Sequence, residues 1–185
     1  MKIALCQYDM IWEDKKANME KISTMAAACA RLKEAKWIIF REMTLTGFTM
    51  DAQKTEITET DRKFFADFAR QYNLWVSFGG GKSGYNNLVT LNEKGETVNE
   101  YSKIHLYSFA GEDKNYKYGT QYKTFQFEGM NILPSVCFDL RFPYLYWDNS
   151  QKMDMFVNIA SWPARRAEHW MTLLRARAIE NQAYC

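Results

Sequence analysis

The chain opens on a period of two. Over Lys2–Tyr8, Ile3 and Leu5 alternate with less apolar neighbours, which predicts a strand. From Lys15 to Ala35 the period lengthens: Met19, Ile22, Ala26, Cys29 and Leu32 recur at helical spacing and predict an amphipathic helix. Trp37–Phe40 is apolar at every position, the pattern of a strand covered on both faces. Asp61–Tyr72 is helical again, with Phe64, Phe65, Phe68, Ala69 and Tyr72 on one side, and Leu74–Phe78 predicts a strand closed by Gly79, Gly80 and Gly81.

Beyond the glycines the pattern turns to hairpins. Leu88–Leu91 and Thr97–Tyr101 flank the glycine-containing loop Asn92–Glu96. A second pair runs through Thr124–Phe127, a turn at Glu128-Gly129, and Met130–Cys137. Met155–Ile159 predicts one more apolar strand, and Glu168–Gln182 a helix burying Trp170, Leu173, Leu174 and Ile179. Helix–strand alternation followed by hairpins predicts an α/β fold, a mixed sheet layered with helices. No repeat, low-complexity tract or linker divides residues 1–185, so a single domain is expected. The last residues, Asn181–Cys185, carry no glycine cap, proline stop or polar tail, which reads as a domain truncated at its C-terminus.

Composition excludes more than it selects. Hydrophobic residues make up 47% of the 185 and charged residues 25%, the balance of an ordinary globular chain. The formal charge is +2 and the basic residues are scattered, so no nucleic-acid footprint is present. No apolar run approaches the roughly 18 residues of a membrane span. The N-terminal segment reads as a strand rather than a signal peptide, and a cytoplasmic protein is expected. The four cysteines, Cys6, Cys29, Cys137 and Cys185, form no CxxC pair, and there are only two histidines. Neither a zinc site nor a disulfide framework is expected, and no metal or organic cofactor.

Three reactive residues each follow an apolar strand: Glu42 after Trp37–Phe40, Lys103 after the strand ending at Tyr101, and Cys137 at the end of Ile132–Val136. Strand ends in layered α/β proteins are where sites are built. Taken singly, each residue reads as a solvated strand end or as core packing. Together they supply the three functions of acyl transfer from nitrogen. A thiol can attack, a carboxylate can take its proton and return it to an amine, and an ammonium can stabilise an oxyanion.

The segments that carry these residues are Phe40-Arg41-Glu42-Met43 with Thr46-Gly47-Phe48, Tyr101-Ser102-Lys103-Ile104-His105-Leu106, and Val136-Cys137-Phe138-Asp139-Leu140-Arg141-Phe142-Pro143. In their order and spacing the chain resembles the nitrilase superfamily of carbon–nitrogen hydrolases along its whole length. The resemblance implies an αββα sandwich, expected to lack its C-terminal strands in this chain, and a triad of Glu42, Lys103 and Cys137. It further implies that Glu112 is a second glutamate near the site, where position alone reads it equally as a solvated loop carboxylate. Within the superfamily, Asn158–Pro163 and the run from His169 to Tyr184 look like the omega-amidases. The implied substrate is then a small amide, the omega-amide of a 2-oxo dicarboxylic acid, and a homo-oligomer is the implied assembly. Substrate contacts are expected from the backbone of Phe138, from Arg141 as a carboxylate partner and from Trp162 as a pocket wall. Arg165 and Arg166 are further candidates for the carboxylate, or surface arginines.

One departure is visible: Arg41 stands where the family usually has proline. If its side chain turned inward it would lower the basicity of Glu42; strand alternation favours the outward direction. Three other readings stay open at this level. One is a Cys–His hydrolase using His105 or His169 as base, and one a sister amidase acting on deaminated glutathione or N-carbamoyl groups. The third is a catalytically inactive remnant serving as an interaction module.

Overall fold

Two β-sheets stack face to face in the computed structural model, which describes residues 1–185. The larger sheet contains β1 (Ile3–Leu5), β2 (Trp37–Ile39), β3 (Trp75–Lys82), β4 (Tyr85–Leu91) and β5 (Thr97–Ser102), adjacent in that order. β1, β2 and β3 run parallel, while β3–β4 and β4–β5 pair antiparallel. The smaller sheet contains β6 (Phe125–Phe127), β7 (Met130–Val136) and β8 (Met155–Ile159), with β6–β7 antiparallel and β7–β8 parallel.

Strand alternation sorts the core into three layers. Trp37, Ile39, Leu88 and Tyr101 point between the sheets, where they meet Phe125, Phe127, Ile132, Val136, Val157 and Ile159. Ile38, Val76, Phe78, Val89 and Leu91 point the other way, onto α1 (Lys15–Ala28) and α3 (Glu59–Tyr72) through Ile22, Ala26, Phe65, Phe68 and Ala69. On the far side, Leu133 and Phe156 of the smaller sheet pack on α5 (Pro143–Trp147) and α6 (Ala167–Asn181) through Leu145, Tyr146, Trp170, Leu173 and Leu174. The architecture is therefore helix, sheet, sheet, helix: the αββα sandwich. Two one-turn helices, α2 (Ala52–Thr55) and α4 (Glu112–Asn115), lie in connecting segments. No helix is long and apolar enough to cross a membrane.

Several predicted elements differ in detail. The first helix stops at Ala28 and a 3-10 turn, Ala30–Glu34, takes over, which leaves Cys29 exposed while Ile22, Ala26 and Leu32 stay buried. The three glycines do not close β3 but lie inside it. Residues 55–57 cross over Gly80 and Gly81 so closely that a Cβ at Gly80 would sit 2.6 Å from Cγ1 of Ile57. Strand pairing thus overrides the turn preference of glycine. On α6, Ile179 is 77% exposed rather than buried. The buried anchor of that helical turn is Arg177, whose Nε and Nη2 donate to the Leu140 carbonyl at 3.1 and 2.8 Å.

Candidate active site

Each of the three strand-end residues is held by a specific local fold. Past β2 the chain turns sharply, with Met43 in the left-handed region (φ +46°). Thr44 N–H donates to the Gly79 carbonyl and Gly79 N–H donates to Thr44 Oγ1, both at 2.9 Å. The turn lies directly on Gly79, where a Cβ would come within 2.7 Å of Met43 N and 2.8 Å of Glu42 Cα. Lys103 leaves β5 still pinned, its N–H donating to the Asn86 carbonyl at 2.8 Å. Cys137 ends β7 and adopts φ +48°, opening the 3-10 turn Cys137–Arg141. A non-glycine residue in that region is strained, and such strain concentrates at functional sites. Glu112 opens α4 behind Gly111 (φ +77°) and is wholly buried, not a solvated loop carboxylate.

These elements converge on one ammonium. Lys103 Nζ donates to Glu42 Oε1 at 2.9 Å, and to Glu112 Oε1 at 3.0 Å and Oε2 at 2.9 Å. All three side chains are fully buried. Asn86 and Ser161, which sequence reasoning did not single out, complete the frame. Asn86 Nδ2 bridges the two carboxylates, donating to Glu42 Oε1 at 2.9 Å and Glu112 Oε1 at 2.8 Å. Ser161 N–H donates to Glu42 Oε2 at 2.8 Å, and Tyr107 N–H to Glu112 Oε2 at 2.6 Å. No local signal marks Asn86 or Ser161, because both reach the site only through sheet pairing and sheet stacking.

This geometry sets the protonation of each group. Burial alone pulls Lys103 toward its neutral form, yet the attraction of Glu42, Cys137 and Glu112 outweighs it and raises its pKa above the ordinary value. Lys103 is therefore an ammonium throughout the neutral range. Burial and then repulsion from Glu42 raise the Glu112 carboxyl, against the opposing pull of Lys103. Burial pushes the Cys137 thiol well up; Glu42 adds to the rise and Lys103 opposes it. The resting cysteine is thus a thiol.

Toward solvent the site is edged by aromatic rings and arginines. The Arg141 guanidinium lies 5.0 Å from the Trp162 ring centroid and 6.0 Å from that of Phe138. The Arg166 guanidinium lies 5.5 Å from the Tyr107 ring, which packs on Phe138 at 5.2 Å. Trp162 Nε1 donates to the Arg166 carbonyl at 2.7 Å. No carboxylate is paired with Arg141, Arg165 or Arg166. Arg41, by contrast, donates to the Tyr8 carbonyl at 3.3 Å and makes no pair with Glu42; it lines a groove of about 480 Å³ beside β1 and β8 that Trp162 also lines. The histidines are engaged elsewhere: the His105 ring nitrogens face Asp139 and Tyr144, and His169 Nδ1 faces Arg141.

An αββα sandwich with a buried glutamate, lysine and cysteine at adjoining strand ends defines a class of hydrolase, and the chain belongs to it: residues 2–185 match the carbon-nitrogen hydrolase family. Its activity is amide hydrolysis. Omega-amidase YafV of Yersinia enterocolitica is 36% identical over 191 residues, covering the whole of this chain and 72% of that protein. The 2-oxoglutaramate amidase of Bacillus subtilis is 24% identical over 192 residues, covering 98% of this chain and 73% of the relative. Among solved structures, XC1258 of Xanthomonas campestris, a CN-hydrolase superfamily protein with an arsenic adduct in its active site, superposes with a TM-score of 0.89 at 27% identity, over 98% of this chain and 72% of that one.

Proposed function

We propose that this amidase works through Cys137 as nucleophile, Glu42 as proton carrier and Lys103 as stabiliser of the oxyanion, and that its substrate is the omega-amide of a 2-oxo dicarboxylic acid. The observation that carries the mechanism is the buried Glu42–Lys103–Glu112 cluster beside a protonated thiol. As sulfur attacks the amide carbonyl, the thiol proton passes to Glu42 and an S–C bond forms. The developing oxyanion is held by the Lys103 ammonium and the Phe138 N–H. The C–N bond then breaks, Glu42 delivers its proton to the leaving ammonia, and a thioester stays on Cys137. Glu42 next takes a proton from water as that water attacks the thioester. The acid departs, and the Cys137 thiolate recovers its proton. Glu112 orients Lys103 by accepting from its ammonium with both carboxylate oxygens. The arsenic adduct of the Xanthomonas relative supports a thiol, since arsenic is thiophilic.

The substrate reading rests on the unpaired arginines. Guanidinium groups stacked on aromatic rings without a carboxylate of their own suit a substrate that brings one. The names of the Yersinia and Bacillus relatives support the same class. A panel of 2-oxoglutaramate, succinamate and the neutral butyramide, with ammonia as readout, tests it. Arg141→Met is expected to raise KM for the two anionic amides about tenfold or more, as loss of one charge-assisted pair implies, and to leave butyramide turnover unchanged. Equal losses on all three amides would sink the carboxylate role. A cytoplasmic setting and a homo-oligomer belong to the same proposal, and light scattering tests the latter.

A further inference from the structure

Two residues beyond Cys137 lies a buried carboxylate that the reaction does not use. Asp139 has no exposed surface and faces no lysine or arginine. Its Oδ1 accepts from His105 N–H at 2.8 Å and from His105 Nδ1 at 2.7 Å. Its Oδ2 accepts from the Tyr101 hydroxyl at 2.8 Å and from Val136 N–H at 2.9 Å. Burial and the charge of Asp139 both raise the Tyr101 pKa, so that hydroxyl stays a donor. A carboxylate oxygen only accepts, so the 2.7 Å contact places a His105 proton on Nδ1. That leaves Nε2 for the Tyr144 hydroxyl, and the imidazole stacks flat on Phe142 with centroids 3.8 Å apart and planes 11° apart.

The placement of the four donors is the informative point. Tyr101 and His105 stand two residues before and two residues after Lys103, and Val136 immediately precedes Cys137. One carboxylate therefore fastens the Lys103 segment on both sides to the turn that carries the sulfur. It does so where Cys137 is held at φ +48°, a conformation that needs its surroundings to maintain it. Two segments from different sheets have no covalent reason to keep the sulfur and the ammonium in register. Misplacement by about 1 Å can cost two orders of magnitude in rate.

The geometry points to Asp139, with His105 and Tyr101, as a positioning residue that sets the Cys137 turn against Lys103. This rests on the reading of Cys137 as nucleophile and Lys103 as oxyanion partner. Asparagine at 139 keeps the shape, but its NH2 would face two of the four donors. Tyr101→Phe and His105→Gln each remove one contact and leave the carboxylate in place.

The test compares wild type, Cys137→Ala, Asp139→Asn, Tyr101→Phe and His105→Gln. Steady-state ammonia release and the rate of Cys137 alkylation by iodoacetamide are measured well below each variant's unfolding midpoint. Asp139→Asn should lose about 100-fold in kcat with KM within threefold of wild type, and its alkylation rate should change as the sulfur leaves its place. Tyr101→Phe and His105→Gln should lose roughly three- to tenfold in kcat while remaining folded, and they carry the decision if Asp139→Asn does not fold. Wild-type kcat and alkylation rates in the folded variants, with Cys137→Ala inert, would overturn the positioning role alone. Turnover by Cys137→Ala at the wild-type rate would instead overturn the nucleophile on which it rests.

Discussion

Lys103 shows how individual residues settle into this site. A lone buried ammonium would give up its proton, and two buried carboxylates without a cation would take one up. Each makes the other tolerable only because the Nζ–O distances are all 2.9–3.0 Å and Asn86, Ser161 N–H and Tyr107 N–H donate to the carboxylates as well. Removing one member is therefore worse than never having built the cluster. Lys103→Met should abolish detectable turnover and cost about 3–5 kcal/mol in urea unfolding, the range for breaking a buried pair from one side. A stability loss under 1 kcal/mol would mean that the carboxylates find water or other partners. At this scale the sequence was most readable. Glu42, Lys103 and Cys137 are each ambiguous alone and stand out only as a set placed directly after apolar strands; the structure brings the three together. Asn86 and Ser161 were not readable, since an asparagine in a strand and a serine in a loop become relevant only once β4 lies beside β5 and the segment after β8 lies over Glu42.

At the level of elements, the glycines of β3 carry the clearest lesson. Three consecutive glycines predict the end of a strand, and local propensity argues for that. They lie within the strand because other backbone must pass at contact distance, and only a missing side chain permits it. Gly79 is the one that bears on function, being pressed against the Glu42–Met43 backbone. Gly79→Ala should shift that turn, lower kcat at least tenfold and destabilise by about 1–3 kcal/mol, the usual cost of overpacking. Assays at a temperature where the variant is fully folded check this; unchanged kcat there would show that the turn yields without moving the carboxylate. The other elements were legible wherever period and composition agreed, as in α3, β2 and β8. They were misjudged where a long-range contact decided the outcome. Arg177, rather than Ile179, anchors the last helix because the Leu140 carbonyl needs a donor.

For the molecule as a whole, the buried thiol makes stability depend on pH in a defined direction. Cys137 in the folded state holds its proton to a pH well above that of the unfolded chain, whose thiol ionises near 9. Between those two values the folded state binds more protons, so stability falls as pH rises. The slope is about 1.4 kcal/mol per pH unit for this group. Cys6, whose thiol burial raises to about 11, adds a smaller decline in the same window because it is partly exposed. The stabilising charge on Lys103 is unaffected there, since its pKa is raised and its loss begins only above the unfolded lysine value near 10.5. Urea midpoints at pH 8, 9 and 10 should therefore diverge between wild type and Cys137→Ala, wild type losing more. Parallel curves would place the thiol in a polar setting.

The most direct test of the central claim is rapid acid quench of the protein during turnover of 2-oxoglutaramate, with intact-mass measurement, peptide mapping and ammonia counted in parallel. A transient adduct of substrate mass minus ammonia is expected, mapped to Cys137 and absent from Cys137→Ala, which releases no ammonia. Ammonia release by Cys137→Ala at the wild-type rate, or an adduct mapped to another residue, would contradict it.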